Sequence, residues 1–408
     1  MGDGAALFLG REEPVSRRVA IVAAKRTPIG KFLGAFADTP AVELGVRAAR
    51  AVLEESGVAP GDVDDVVFGH ARQAGCGPNP GRQVSVRAGI PEERPAQTMN
   101  AACGSGLKSI AMAADAIRLG EAECVLAGGM ENMTRVPFLL DGARRGYRLG
   151  HAPLVDGMYR DGFHCPLADM VMGETAEVLA AAYAVGREEQ DRFALTSQER
   201  TAAAIGAGTF TAEIAPVRTR DRKGREVLVA ADEHPRPGVT MEALAALPPV
   251  FEKSGTITAG NASGITDAAA AVLVVSEERA RALGIEPLAW VRDFAAVGVD
   301  PVRMGIGPVP ATRRILERNG LTIDNIPVVE LNEAFAAQVL ACQRDLGFDA
   351  SRVNPNGGAI SLGHPIGCTG TRIVVTLLHE MVRRGHKRGL ATLCVSGGLG
   401  MAMLFERD

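Results

Sequence analysis

The chain runs through the same order of strands and helices twice, and this internal repetition constrains its fold more than any other feature. The matching segments are the strands 19–23 and 288–291, the strands 66–69 and 328–331, the helices 107–119 and 370–384, and the strands 125–129 and 392–398. The last strand of each copy leads into a Gly-Gly pair. Strands that alternate with helices predict an α/β fold with mixed or parallel sheets that are covered on both faces.

A long segment of different composition interrupts the first copy. Between 133 and 256, Pro, Gly, Arg and Asp become frequent, apart from helical stretches at 173–183 and 187–204, and a core-like strand returns at 265–276. Because a structureless loop of this length is unusual, we predict that the segment has a fold of its own. The predicted segments are a flexible leader (1–17), a first half (18–132 and 257–284), an inserted domain (133–256) and a second half (285–408).

The composition favours a globular protein that binds neither nucleic acid nor a membrane. The 408 residues carry a net charge of −4 and include no basic block, which argues against a nucleic-acid partner. The longest apolar run, 268–275, is far shorter than the roughly 20 residues that a membrane-spanning helix needs. Since the first residues resemble neither a signal peptide nor a transit peptide, we expect a cytoplasmic protein.

The seven cysteines include no Cys-x-x-Cys pair, which argues against a structural zinc site and, with their odd number, against a disulfide framework. We therefore expect reduced thiols and no metal. Cys103 and Cys394 both lie among small residues. Cys103 precedes the helix at 107–119, where free N–H groups and the helix dipole should favour its thiolate. A free cysteine is most often a small core residue, and this alternative stays open for both.

A histidine and an asparagine stand in comparable positions. His364 lies in the Gly-rich turn Gly363–Gly367, where it could act as a base or as a donor to an oxyanion, or simply make a structural hydrogen bond. Asn332 follows the strand at 328–331, and its amide could hold a water, polarise a carbonyl or cap a helix. The small-residue loop at 258–264 fits a slender ligand or a tight turn. Two thiols and an imidazole suit covalent acyl transfer.

Five motifs in the same order resemble the thiolase family of acyl-CoA acyltransferases, over nearly the whole chain from about 18 to 406. They are Cys103-Gly104-Ser105-Gly106, Ala259-Gly260-Asn261-Ala262-Ser263-Gly264, Asn332-Glu333-Ala334-Phe335, Gly363-His364-Pro365-Ile366-Gly367 and the loop that begins at Cys394. The resemblance implies a five-layered αβαβα fold of two similar halves, with the inserted segment covering coenzyme A (CoA). It also implies a homodimer or homotetramer.

The same resemblance implies a two-step reaction. Cys103, activated by His364, would carry the acyl group as a thioester. A second acetyl-CoA would lose a proton to Cys394 and attack this thioester to form a 3-ketoacyl-CoA, and the reverse reaction would be cleavage by CoA. A water on Asn332, with His364, would stabilise the enolate oxygen. The backbone N–H groups of Cys103 and Ser396 would stabilise the tetrahedral intermediate, and no cofactor besides the CoA thioester is implied.

Further roles follow from position in the resemblance. The residues implied for CoA binding are Arg236, Ser263 and Ala259. The residues implied for the acyl pocket are Met172, Met304 and Phe335. Two positions depart from the family pattern. Val171 replaces a polar residue, usually histidine, on the pocket wall, which argues against a strict preference for acetoacetyl-CoA. Ser396 replaces a usual glycine, so its N–H can serve only if the backbone there avoids a conformation reserved for glycine.

Several functions are compatible with these residues. The main prediction is the condensation of two acetyl-CoA molecules, or its reversal, and the first alternative is cleavage of medium- or long-chain fatty-acid 3-ketoacyl-CoA in beta-oxidation. A decarboxylating ketoacyl synthase would show a Cys-His-His pattern instead, and the thiol of Cys394 argues against it. A cysteine hydrolase would need a path for water. A non-catalytic acyl-CoA or lipid-binding protein would require a loss among Cys103, Asn332, His364 and Cys394, and none is lost.

Overall fold

The computed structural model describes residues 17–221 and 223–408, so the predicted leader, apart from Arg17, lies outside the described residues. The strands are β1 (Val19–Arg26), β2 (Gly30–Lys31), β3 (Asp65–Gly69), β4 (Ala96–Met99), β5 (Cys124–Asn132), β6 (Phe138–Leu139), β7 (Val155–Asp156), β8 (His164–Cys165), β9 (Met170–Val171), β10 (Val217–Arg220), β11 (Glu226–Val229), β12 (Thr266–Ser276), β13 (Ala289–Gly298), β14 (Val329–Leu331), β15 (Arg388–Val395) and β16 (Leu399–Glu406). The α-helices are α1 (Ala41–Ser56), α2 (Pro80–Ala88), α3 (Ser105–Arg118), α4 (Met172–Ala182), α5 (Arg187–Gly206), α6 (Met241–Ala245), α7 (Glu277–Leu283), α8 (Pro308–Arg318), α9 (Ala336–Leu346), α10 (Ala359–Leu362) and α11 (Ile366–Arg384).

The two halves share one sheet topology, which confirms the predicted repetition. In the first half, β3 is parallel to β5, β5 is antiparallel to β12, and β12 is antiparallel to β1. In the second half, β14, β15, β16 and β13 repeat this order and these directions. The half-sheets join where β1 pairs with β13 through Ala20–Trp290 and Ile21–Ala289, so that they form one ten-stranded sheet. Both half-sheets are mixed, as predicted.

Helices cover the half-sheets in a five-layered αβαβα arrangement. Helix α1 packs on β12 and β1, with α2 beside it, and α8 packs on β16 and β13, with α9 beside it. Helices α3 and α11 lie between the half-sheets and contact each other. Strand β12 is a run of mostly Ala, Val and Leu that is buried along its whole length, as expected for a central strand covered on both faces.

The central helices approach each other backbone to backbone, because glycines face the contact. A Cβ atom on Gly106 would lie 2.7 Å from the backbone nitrogen of Thr371. A Cβ atom on Gly370 would lie 2.2 Å from the backbone nitrogen of Leu107. No side chain fits at either position, so the segments that enter α3 and α11 lie side by side. These are the segments that carry Cys103 and His364.

The inserted segment follows β5, at the position where the second half has only the short turn between Val395 and Leu399. Its helices α4 and α5 confirm the two predicted helical stretches, and both pack against α9 of the second half. The exact segment boundaries stay a prediction. Over 17–221 and 223–408, no helix is long and apolar enough to cross a membrane.

Candidate active site

A cavity of about 520 Å³ lies where the loops of both halves meet the inserted segment. Cys103, His364, Cys394 and Ser396 all line this cavity, although they come from distant parts of the sequence. Its volume is within the range of a small-molecule site. The structure therefore brings the predicted reactive residues together around one space.

Cys103 follows a strained backbone position. Ala102 has a φ of +46°, a left-handed conformation that is uncommon for a residue with a side chain. Its N–H donates to Oδ1 of Asn100 (2.9 Å), and Nδ2 of Asn100 donates to the carbonyl of Ala71 (3.1 Å). These bonds hold the bend that precedes α3. Strain of this kind is found preferentially at functional sites.

The expectation that the helix terminus favours the thiolate of Cys103 is wrong in its net direction. Burial raises the pKa of this thiol above its ordinary value, and this effect exceeds the opposing ones. The pKa is lowered by the backbone N–H groups of Ser396 and of Cys103 itself, and by the charge of Arg72. The thiol therefore needs a neighbouring base to become a nucleophile.

His364 is held as a neutral imidazole. Burial, followed by the charges of Arg372 and Arg72, lowers its pKa to about 3. Its Nδ1 lies 2.6 Å from Oγ1 of Thr369, whose hydroxyl donates to the carbonyl of Pro365 (3.0 Å). Because the single hydroxyl proton is used in that bond, Oγ1 accepts from Nδ1–H, and Nε2 keeps a free lone pair. The structural hydrogen bond and the role of base are thus compatible.

Glycine is required immediately before His364. Gly363 has a φ of +102°, and a Cβ atom there would lie 2.2 Å from Cγ2 of Thr266. The backbone N–H of His364 then donates to the carbonyl of Gly264 (3.0 Å). These constraints fix the imidazole relative to the predicted CoA loop at 258–264.

Cys394 lies near the end of β15 and is only 1% exposed. Burial raises its pKa well above the ordinary value, and the charge of Cys103 raises it further. The two thiols are therefore close enough to influence each other, and ionising one opposes ionising the other. Such a pair suits a site in which one sulfur carries an acyl group while the other moves a proton.

Ser396 does not adopt a conformation reserved for glycine. The left-handed residues of this turn are Gly397 (φ +88°) and Gly398 (φ +86°), whereas Ser396 is not among them. Its N–H acts on the sulfur of Cys103. The departure from the family pattern at this position is therefore compatible with a backbone donor aimed at the reacting atoms.

Asn332 is fully buried, and neither atom of its amide has a hydrogen-bond partner among the described residues. The alternative that it caps a helix is wrong, because α9 begins at Ala336 and Phe335 precedes it as the cap. Its neighbour Glu333 is fully engaged, accepting from Ser197 (2.7 Å) and Asn354 (2.8 Å). Glu333 thus anchors the segment, while the amide of Asn332 remains available for hydrogen bonding.

The other residues implied by the resemblance line the same cavity. They are Arg236, Ser263 and Ala259 for CoA, and Met172, Met304 and Phe335 for the acyl group. Arg236 is exposed, and its backbone N–H donates to Gln198 (3.0 Å). Phe335 makes an edge-to-face contact with Phe251, which also lines the cavity. Val171 lies on the wall as well, at the junction of β9 and α4.

Sequence reasoning missed several residues of the site. Thr369, which fixes the proton of His364 on Nδ1, belongs to none of the motifs described above. Its position one helical turn after Pro365 could have indicated the hydrogen bond from its hydroxyl to the carbonyl of Pro365. Arg72 and Phe163 line the cavity and follow no motif that would have indicated it. Among the residues that the structure describes, no group of three or more His, Cys, Asp or Glu could hold a metal ion.

Comparison with known families decides between the chemistries that this site allows. The description "Thiolase, N-terminal domain" matches residues 19–278, and "Thiolase, C-terminal domain" matches residues 285–407. The chain belongs to the thiolase family. It is thus an acyltransferase with the thiolase fold, and the predicted resemblance is confirmed.

Individual thiolases and related enzymes cover almost all of this chain. An acetyl-CoA acetyltransferase of Pseudomonas aeruginosa is 53% identical over 390 residues, which are 96% of this chain and 99% of that protein. The crystal structure of the Bacillus anthracis acetyl-CoA acetyltransferase is 43% identical, covers 96% of this chain and 99% of its own, and has a TM-score of 0.94. The crystal structure of human mitochondrial 3-ketoacyl-CoA thiolase in complex with CoA is 42% identical, covers 96% of this chain and 98% of its own, and has a TM-score of 0.92.

Proposed function

We propose that this protein is an acetyl-CoA acetyltransferase that condenses two acetyl-CoA molecules to acetoacetyl-CoA and cleaves acetoacetyl-CoA with CoA in the reverse direction. The observation that carries the proposal is the meeting of two thiols, Cys103 and Cys394, with the neutral imidazole of His364 around one cavity. The acetyltransferase of Pseudomonas aeruginosa, which is 53% identical, supports the choice of acetyl-CoA.

In the first step, Nε2 of His364 takes the proton of the Cys103 thiol, and the sulfur attacks the thioester carbonyl of acetyl-CoA. The bond from carbon to the CoA sulfur breaks, and the leaving sulfur takes the proton of the Cys394 thiol. An acyl-enzyme remains, with Cys394 as a thiolate and His364 protonated. A neutral imidazole with a free lone pair can perform this transfer, because its pKa is far below the working pH. The backbone N–H groups of Cys103 and Ser396 face the developing oxyanion.

In the second step, Cys394 takes a proton from the methyl group of the second acetyl-CoA. The resulting carbanion attacks the carbonyl of the acyl-enzyme, a carbon–carbon bond forms, the bond to the Cys103 sulfur breaks, and that sulfur takes its proton back from His364. His364 and a water on the amide of Asn332 stabilise the enolate oxygen. The unpartnered, fully buried amide of Asn332 supports this role, because such a group is costly unless a ligand or water satisfies it.

CoA is expected to enter past Arg236, with its pantetheine along Ala259 and Ser263. The acyl group then lies against Met172, Met304 and Phe335. These side chains are apolar, and those of the two methionines are also flexible, which suits an aliphatic acyl chain. The steps account for every proton and electron pair with residues of this chain, and we propose that no metal or further cofactor takes part.

Fatty-acid 3-ketoacyl-CoA thiolysis, the beta-oxidation reaction, is the second candidate. It is supported by the apolar Val171 on the wall and by the similarity to human mitochondrial 3-ketoacyl-CoA thiolase. Cleavage of a series of 3-ketoacyl-CoA esters with CoA, from four to sixteen carbons, separates the two. The main proposal requires the highest kcat/KM for acetoacetyl-CoA. A rising or flat profile would favour the fatty-acid enzyme.

Substitution of Cys103 tests the acyl-enzyme itself. Cys103→Ala should abolish formation of a radioactive acetyl-protein from labelled acetyl-CoA while CoA still binds, as measured by calorimetry. Cys76→Ala is the matched control, because Cys76 is also partly exposed but does not line the cavity. Retained acetyl transfer in Cys103→Ala would refute the mechanism. Bound ligand without any transfer in the unmodified protein would favour a non-catalytic acyl-CoA-binding role.

We further propose a cytoplasmic homodimer or homotetramer. Support comes from the implied properties of the family and from the expectation that the seven thiols are reduced. Sedimentation equilibrium of the full chain distinguishes the two assemblies, and a monomer at micromolar concentration would contradict both.

A further inference from the structure

Arg72 places a positive charge against the reactive part of the cavity. Only 7% of this residue is exposed, whereas Lys31 and Arg236, the other lysine and arginine on the wall, are exposed. The charge of Arg72 lowers the pKa of both Cys103 and His364. The guanidinium therefore lies beside Gly162 on the wall of the same cavity that Cys103 and His364 line.

Among the described residues, none makes a hydrogen bond or an ion pair with this guanidinium. Its Nε is buried without a hydrogen bond, and Arg72 forms no side-chain ion pair within the described ranges. The described residues that line the cavity include no Asp or Glu. A buried cation is costly unless an anion or hydrogen-bond acceptor satisfies it. The charge is thus available for an anionic group inside the cavity.

The charge of Arg72 lowers the pKa of the nearby carboxylate of Glu131, but this carboxylate accepts its hydrogen bonds from other donors. Its oxygens accept from the backbone N–H groups of Ala71 (3.2 Å), Arg72 (3.1 Å) and Gly367 (2.8 Å). Its Oε1 also lies 3.1 Å from Nε2 of His70. Glu131 therefore fixes the backbone of Arg72 beside the His364 loop, while the side chain of Arg72 remains directed to the cavity wall.

Gly162 makes room for this side chain. A Cβ atom on Gly162 would lie 2.8 Å from Nε and 2.9 Å from Nη2 of Arg72. Because Gly162 has no left-handed φ, its value here is the space and not a backbone conformation. It belongs to a single π-helical turn, Tyr159–Phe163, whose Tyr159 and Phe163 line the same part of the wall. Such turns occur preferentially at functional sites.

We propose that Arg72 forms an anion-binding subsite of the acyl pocket that receives the terminal carboxylate of a short dicarboxylic acyl group. The inference rests on the proposed thiolase reaction and adds a substrate class to it. A planar guanidinium binds a carboxylate through two parallel hydrogen bonds, which satisfies the charge and selects the acyl chain.

The chemistry on such a substrate is balanced without a further reactant. The sulfur of Cys103 attacks C3 of a 3-ketoacyl-CoA that ends in a carboxylate, and the C2–C3 bond breaks. The two-carbon fragment leaves as the enolate of acetyl-CoA and takes a proton from Cys394. The sulfur of CoA then attacks the thioester and its proton passes to Cys394, the bond to the Cys103 sulfur breaks, that sulfur takes its proton back from His364, and the dicarboxylic acyl-CoA leaves. The terminal carboxylate stays on Arg72 throughout.

The test uses pairs of 3-ketoacyl-CoA esters of equal length, one ending in a carboxylate and one in a methyl group. The unmodified protein should cleave the carboxylate member with a kcat/KM higher by about 10- to 100-fold, the range expected for hydrogen bonds to a charged group. Arg72→Met should remove this preference, and Arg72→Lys should retain part of it. Arg236→Met is the matched control, since it should lower kcat/KM for both esters by the same factor and leave the ratio of the two values unchanged.

Two further measurements keep the test decisive. If Arg72→Met does not fold, Gly162→Ala replaces it, because the added methyl group displaces the guanidinium and should also lower the ratio. Calorimetry on Cys103→Ala compares binding of succinyl-CoA and butyryl-CoA, with and without Arg72→Met. A preference for succinyl-CoA that depends on Arg72 supports the subsite. A failure to cleave any ester would refute the proposed thiolase reaction but not the subsite.

The results that would overturn the subsite are equally definite. A preference of the unmodified protein for the methyl esters at every length would do so. An unchanged ratio in Arg72→Met, with equal losses for both members of a pair, would show that Arg72 acts on the thiol of Cys103 instead. Equal binding of succinyl-CoA and butyryl-CoA to Cys103→Ala would contradict the subsite directly.

Discussion

Replacing Thr369 by valine tests how His364 becomes a base. Thr369 accepts from Nδ1–H of His364 at 2.6 Å and thereby leaves the lone pair on Nε2. Valine has nearly the same shape but no acceptor, so Nδ1–H would be buried without a partner. An unsatisfied buried donor costs about 1–3 kcal/mol, which favours the other tautomer by about 5- to 150-fold. The proton on Nε2 would then prevent it from accepting the proton of Cys103.

We therefore expect the rate of acyl-enzyme formation by Thr369→Val, measured by rapid quench with labelled acetyl-CoA, to fall by about 5- to 150-fold. Thr369→Ser keeps the hydroxyl and should stay close to the unmodified rate. Nitrogen NMR of labelled histidine should show the proton moving from Nδ1 to Nε2 in the valine variant. A valine variant with the original acylation rate and the original tautomer would refute the reasoning.

Three further expectations follow from the site. As the pH falls from 6.5 toward 3, the histidine binds a proton in the unfolded chain but stays neutral when it is buried in the folded protein. The free energy of unfolding should therefore fall by up to about 1.4 kcal/mol per pH unit. Urea titrations of His364→Gln should show a smaller change of this free energy with pH, and an equal change would contradict the lowered pKa. Ser396→Ala keeps the backbone N–H and should retain kcat within about threefold, since removal of such a donor costs about 100- to 1,000-fold; a collapse of kcat would assign the hydroxyl a role. Val171→His should narrow the pocket and shift the ester profile toward acetoacetyl-CoA, and an unchanged profile would remove Val171 from the determinants of chain length.

Much of the fold was predictable because the strands are buried runs with a clear order. The pairs 66–69 with 328–331 and 125–129 with 392–398 fall on equivalent strands of the two half-sheets. The two-residue link between β1 and β13 was not predictable, since it depends on how two sheets twist against each other and not on a local pattern.

The reactive residues were predictable from motifs, but their electrostatics were not. Local reasoning placed Cys103 before a helix and expected a lowered pKa, whereas burial by distant segments raises it. The roles of Thr369 and Arg72 depend in the same way on contacts across the fold. Arg72 reaches the cavity because Glu131, far along the sequence, fixes its backbone, and no spacing in the sequence encodes that contact.

The glycine contact between α3 and α11 also bears on how this enzyme can diversify. Because Gly106 and Gly370 admit no side chain, mutation has almost no freedom to alter how the two reactive loops lie against each other. Part of the pocket wall, in contrast, comes from the inserted segment, including Phe163, Val171 and Phe251. Descendants of this chain can thus explore new acyl groups through the insertion while inheriting the reaction itself unchanged.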